Sequence, residues 1–214
     1  MHRQQSEEKY MRTLSRQSLV ATAVLTASLL GISMPAQASE NDAPPPPSPE
    51  VIAAEIAAID SPEARAAAEQ LYAQAIDDGR EVLGVAGGSY VAEEGDVAAR
   101  SLPSDCGMSV LASRSGTVIY NDTLTSCSGS FSSLTHHLGI TGENPYNPFD
   151  QRNVQNRYFY WYNRTSAANS VQYTCANTNL TNWWTLGEGT LVRNGTTYYS
   201  PAVYDTVSVV YCGW

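Results

Sequence analysis

Lysine is missing from every position beyond Lys9, so residues 104 to 214 draw all their positive charge from five arginines. Set against six acidic residues in the same region, these leave it close to neutral. It lacks the clustered basic face expected of a nucleic-acid binder, and no nucleic-acid partner is expected. Histidine is almost as scarce: it occurs at His2, His136 and His137, so imidazole chemistry in the body of the chain rests on one adjacent pair. There is no Gly-x-Ser-x-Gly elbow, phosphate loop, His-Glu-x-x-His or dinucleotide-binding glycine pattern. Those absences argue against a cofactor-dependent enzyme, and neither a cofactor nor a metal is expected. Long apolar runs are missing too. The longest, Leu19 to Ile32, has 14 residues, short of the roughly 20 that cross a bilayer as a helix.

That run instead has the layout of an export signal. Arg12 and Arg16 supply the positive flank, and Ala36-Gln-Ala38 offers the small residues a signal peptidase accepts. Residues 1–38 are therefore read as a signal peptide, the mature chain as secreted and extracellular, with no membrane association after cleavage. No Arg-Arg pair precedes the apolar run, which fits the general secretory route. A lysine-free mature chain rich in alanine and glycine points to a bacterial source of high GC content.

Export alters the meaning of Cys106, Cys127, Cys175 and Cys212. An even number without a Cys-x-x-Cys pair, in an oxidising compartment, reads as two disulfides. Three connectivities are open. Proximity in a β-meander favours Cys106 with Cys127 and Cys175 with Cys212. Closing the 21-residue interval between the first two stabilises a fold by about 3 kcal/mol in the chain-entropy model.

Composition divides the mature chain near residue 103. Residues 39–103 hold 13 acidic residues against 3 arginines, and account for the overall net charge of −9. The segment opens on Pro44-Pro-Pro-Pro47, an extended spacer. Ser48-Pro49-Glu50 and Ser61-Pro62-Glu63 then repeat one helix-start signature: Ser as N-cap, Pro in the first turn, and a carboxylate at the positive helix end. Ile52, Ile56 and Ile59 recur at helical spacing after the first, and Ala64, Ala67, Leu71 and Ala75 after the second, which stops near Gly79. From Gly84 to Pro103 the glycine, alanine and acid content predicts a linker, with Arg100 a candidate protease site. The whole segment reads as a linker or a propeptide with two short helices, whose thin apolar stripes need packing against the domain or leave them loosely ordered.

Beyond Ser104 the pattern alternates. Thr117–Tyr120, Val171–Cys175 and Val203–Tyr211 combine β-branched and aromatic residues between turn signals and read as strands. Asn194-Gly195 meets the positive-φ demand of a type I′ turn, which sets Arg193 opposite Thr196 and Leu191 opposite Tyr198. Phe131, Leu134 and Leu138 with Gly139 predict one short helix, and Gly142–Pro148 a loop. Residues 104–214 are thus expected to form an all-β domain, a small antiparallel β-sandwich or barrel with two disulfides and one short helix.

Two aromatic clusters are candidate ligand-binding surfaces. Residues 158–162 read Tyr-Phe-Tyr-Trp-Tyr, and strand alternation puts Phe159 and Trp161 on one face and Tyr158, Tyr160 and Tyr162 on the other. The first pair suits a core; the tyrosine row suits a half-wet binding surface, or a cross-strand ladder that only steadies the sheet. In Trp183-Trp184 the two indoles cannot share one face of a regular strand. One is expected to be exposed and, with Tyr198 and Tyr199, to offer a platform for a sugar or peptide. His136, His137 and Glu143 are the candidate catalytic residues, an acid–base set with Arg152 and Arg157 following, although polar residues on the outside of a helix would look the same. Asn-x-Thr occurs at Asn121, Asn163, Asn179 and Asn194 and would mark surface positions in a glycosylating host.

These features point first to an extracellular binding module for carbohydrate or protein. A secreted inhibitor or toxin presenting a disulfide-braced loop near Ile140 to Asp150 is the second reading. A small hydrolase or nuclease using His136 and His137 is the third.

Overall fold

The computed structural model describes residues 45–92, 105–200 and 203–214, with the side chains of 204–209 outside that description. The expected signal peptide and the Arg100 protease site lie outside the described residues. Among the described residues two helices, α1 (Pro49–Ala57) and α2 (Pro62–Asp77), precede eight strands: β1 (Glu81–Ser89), β2 (Val91–Ala92), β3 (Cys106–Ser115), β4 (Val118–Asn144), β5 (Asn147–Thr174), β6 (Asn177–Arg193), β7 (Thr196–Tyr199) and β8 (Val203–Gly213). All pairings are antiparallel. The mostly antiparallel β architecture, and the two disulfides Cys106–Cys127 and Cys175–Cys212, agree with the reading of the sequence.

The sheet is organised by the unusually long β4–β5 hairpin. Its lower half, Val118 to Ser126, pairs with β5 from Ser166 to Thr174, and β3 flanks β4 on the other side. Its upper half pairs with β5 up to Arg164 and, on the opposite edge, with β6. Between the halves the register slips from Ser126 to Phe131, a large bulge that re-aims both strands. The sheet folds back there, because Asn121 in the lower half donates to the carbonyls of Gly139 (2.8 Å) and Leu186 (2.9 Å) in the upper half. The Cys106–Cys127 disulfide sits at this corner, and Arg193 and Ser128 both bond Asp105 beside it. The Ser128 hydroxyl, then Arg193, hold the Asp105 carboxyl below the usual carboxylate range.

Three expectations need correction. Residues 131–138 are strand, not helix. Leu134 and Leu138 satisfy a helical period, but Leu134, His136, Leu138 and Ile140 also alternate, and all four are buried. Pairing on both edges, to β5 and β6, decides for the strand. The loop expected over Gly142–Pro148 shrinks to a tight turn, since β4 runs to Asn144 and β5 starts at Asn147. Last, the stretch from Gly84 to Pro103 is not all linker. The glycine-rich stretch expected to be linker contains β1, paired along its length with β3. Glycine is required within it: a Cβ on Gly87 would stand 2.5 Å from Ser109 Oγ.

Both helices start where the Ser-Pro-Glu signatures put them, with Ser48 and Ser61 as N-caps. Their isoleucine and alanine stripes pack on Val82, Val85, Leu111 and Leu124, covering the outer face of the lower half-sheet. Arg80, next to β1, is itself buried and reaches Asp122 Oδ2 at 2.5 Å and Ser113 Oγ at 3.2 Å. An uncompensated charge there would be costly, so this pair ties the acidic segment to β3 and β4. The Asn194-Gly195 turn forms as expected, both residues at positive φ (50° and 80°), with Arg193 opposite Thr196 and Leu191 opposite Tyr198.

Candidate functional site

Alternation along the upper half-sheet separates an inner from an outer face. His136, Leu138 and Ile140 of β4 face inward, with Trp183, Thr185, Gly187, Gly189 and Leu191 of β6, while Thr135 and His137 of β4 and Trp184, Glu188 and Thr190 of β6 face out. The adjacent histidines therefore occupy opposite faces and cannot act on one substrate.

His136 is fully buried. The Asn169 Nδ2–H donates to its Nδ1 at 2.6 Å, which fixes the tautomer so that Nε2–H donates to Thr125 Oγ1 at 2.7 Å. The chain continues at both ends. Trp161 Nε1–H donates to Asn169 Oδ1 (3.2 Å), and the Thr125 and Tyr90 hydroxyls are 2.8 Å apart. Burial lowers the imidazole pKa to about 3, so it is neutral at ordinary pH. This is an interior polar network with its members satisfied, a structural use of histidine.

His137 lies on the outer face. Its ring stacks on Tyr158, centroids 4.4 Å apart and planes within 9°. Nδ1–H donates to Glu188 Oε2 at 2.8 Å, and Nε2 lies 2.7 Å from Asn156 Oδ1. Both nitrogens face oxygens of these two side chains. Glu143 does not join them: it is six residues along β4, roughly 20 Å away at strand rise, and accepts from Gln151 (2.8 Å). The expected acid–base set of His136, His137 and Glu143 is therefore dispersed. Among the described residues no three His, Cys, Asp or Glu side chains come together to hold a metal ion.

The aromatic residues divide as alternation predicts. Tyr158, Tyr160 and Tyr162 are 57%, 63% and 63% exposed, while Phe159 and Trp161 pack against the interior. Trp183 is buried, its Nε1–H donating to the Cys212 carbonyl (3.1 Å), and Trp184 is exposed. Tyr198 packs inward near Leu191, and Tyr199 faces out. Trp183 and Tyr198 are thus core, leaving Trp184 and Tyr199 on the surface with the tyrosine row. Trp184 is four residues along β6 from Glu188, about 13 Å, so it is not beside Tyr199. Of the Asn-x-Thr positions, Asn121 is buried and donates its amide across the fold.

Cross-strand register brings part of this surface together. Tyr158 lies opposite His137 and His137 opposite Glu188; one step along, Tyr160, Thr135, Thr190 and Tyr199 form the next row. Between the rows is a cleft of about 280 Å³ with Tyr158 and Tyr199 as aromatic walls. Polar groups come from Glu188, His137, Ser200 and the two threonines. Sequence reasoning missed Glu188, Thr190 and Ser200. Their signal was Gly187-Glu-Gly189, since glycines inside a strand mark close backbone approach. A Cβ on Gly187 would lie 2.4 Å from Val110, and one on Gly189 2.1 Å from the Tyr90 hydroxyl. Those inner contacts pin β6 while Glu188 between them projects outward.

No protein-family model matches this chain, and neither does any curated protein or solved structure.

Proposed function

We propose that this protein is a secreted binding module of sandwich-like form that engages an extracellular carbohydrate or protein through the outer face of its upper half-sheet. The observation that carries the reading is the solvent exposure of Tyr158, Tyr160 and Tyr162 in one row. Leaving three large rings in water on one strand costs hydrophobic burial that the core forgoes, and tyrosine combines an apolar body with a polar tip suited to a half-wet interface. Their strand is an edge, since β5 pairs only with β4 among the described strands, so a ligand has access from the face and the side.

The test is binding by affinity electrophoresis through gels containing soluble polysaccharides, alongside a variant with all three tyrosines changed to alanine. Retardation by at least one polysaccharide that the triple variant loses, with an unchanged thermal melt, is the expected result. Binding of every ligand unchanged in the triple variant refutes the reading.

A protein target is the second reading, favoured by the tip of the β4–β5 hairpin. Tyr146 and Phe149 are 78% and 95% exposed there. Two Asn side chains steady the display, Asn144 Oδ1 accepting from Tyr146 N and Asn147 Oδ1 from Phe149 N. Neither disulfide braces this tip, unlike the loop expected of an inhibitor.

A further inference from the structure

We infer that the cleft between Tyr158 and Tyr199 is a subsite for a single ring of a neutral polysaccharide, with Glu188 accepting from vicinal hydroxyls. This rests on the binding reading above and narrows it to one ligand class and one position.

Size limits the occupant first. At about 280 Å³ the cleft lies just below the roughly 300 to 1,000 Å³ of drug-sized sites, so it admits one ring and not a folded peptide segment. Chemistry limits it next. The lining combines two tyrosines with three aliphatic hydroxyls, a carboxylate and an imidazole. An apolar ligand would strip water from these polar groups without replacing it. An anionic ligand would meet the Glu188 carboxylate, and no arginine lines the cleft. A pyranose matches both halves: its C–H face suits an aromatic ring, and each hydroxyl both donates and accepts.

The polar groups are held before any ligand arrives. Glu188 Oε2 is occupied by His137 Nδ1–H, leaving Oε1 without a partner among the described residues. Ser200 Oγ accepts from Gly189 N at 2.7 Å, and its backbone N–H donates to the Gly189 carbonyl, so its hydroxyl proton is available to a ligand. His137 is held by Glu188 at Nδ1 and supports Tyr158 from one side. Groups locked by such neighbours lose little freedom on binding. Tyr160 and Tyr162 continue the same face beyond the cleft, which provides for further rings of a polymer.

The test is calorimetric titration of the intact protein with soluble neutral glucan, xylan and mannan, their short oligosaccharides, and polygalacturonate as an anionic comparison. At least one neutral polymer is expected to bind and polygalacturonate not. Glu188→Gln is expected to weaken the neutral ligand by at least about tenfold, and Thr190→Ala, which leaves the His137–Glu188 and Gly189–Ser200 hydrogen bonds in place, by a smaller factor. Wild-type affinity in both variants overturns the subsite, while a simultaneous loss in the tyrosine-row variant leaves the wider face reading standing. Preference for polygalacturonate, or binding of a protein ligand through the tyrosine row with no polysaccharide bound, also overturns the subsite. If the tyrosine-row variant binds every ligand as wild type does, both readings fall.

Discussion

His136 makes the stability of this protein depend on mild acid in a way that can be isolated. Burial keeps the folded-state imidazole neutral down to a pKa of about 3 against an ordinary 6.5. The unfolded chain therefore binds a proton that the folded chain refuses between those two values. Stability from this group is complete above about pH 6.5 and is lost as pH falls toward 3, with a limiting slope of about 1.4 kcal/mol per pH unit. Integrated from pH 7 to pH 5, the loss is about 2 kcal/mol, a large share of a stability that is typically only about 5–15 kcal/mol. The perturbation is His136→Gln, which cannot titrate. Removing the ring should itself cost about 1–3 kcal/mol at pH 7, because Asn169 and Thr125 lose their partner. Urea unfolding followed by tryptophan fluorescence at pH 7, 6 and 5 gives the comparison. The wild type is expected to lose about 2 kcal/mol more than the variant across that range. His137 and the carboxylates are present in both proteins, so their effects cancel in the difference. Parallel pH dependence in the two proteins would refute the assignment of His136 as a buried neutral group.

Two further outcomes test the packing of the acidic segment. Arg80→Ala should destabilise by about 3–5 kcal/mol, since it strands the buried Asp122 carboxylate; a change in urea midpoint equivalent to less than 1 kcal/mol would show the pair to be solvated. A protein beginning at Asp105 should fail to fold, because it lacks β1, the helix layer over Leu111 and Leu124, and the Tyr90 side chain buried against Gly189. Dispersed amide resonances and a cooperative melt from that truncated protein would contradict this, and would restore the view of residues 39–103 as a separable propeptide.

The parts legible in the sequence share a property: each is decided by neighbours close along the chain. A Ser-Pro-Glu start supplies its own cap and first-turn geometry. An Asn-Gly turn needs only the two residues that tolerate positive φ. Face alternation from Tyr158 to Tyr162 follows from the pleat once a strand exists. The errors were of the opposite kind. Residues 131–138 satisfy two periods at once, and only strands on both sides choose between them. The strand β1 was hidden by glycines whose purpose, close approach to β3, is visible only when β3 is beside it. His136 and His137 looked like one acid–base pair because adjacency in sequence was mistaken for adjacency in space.

The candidate site shows the same boundary. Its tyrosine row was readable, because alternation alone sends those rings to one face. The cleft was not, since Glu188, Thr190, Tyr199 and Ser200 reach Tyr158 and His137 only through registers between strands roughly 20 to 60 residues apart in sequence. By itself the sequence determined two helix starts, a hairpin, a tyrosine row on one face of a strand and two disulfides among four cysteines. Tertiary structure alone decided that the glycine-rich stretch after the helices enters the sheet, that the tyrosine row stays uncovered, which histidine is sealed from water, and which polar groups stand beside the tyrosines. The physical reason is that local backbone preferences act over a few residues, whereas burial and cross-strand contact depend on which distant segment arrives to complete the surface.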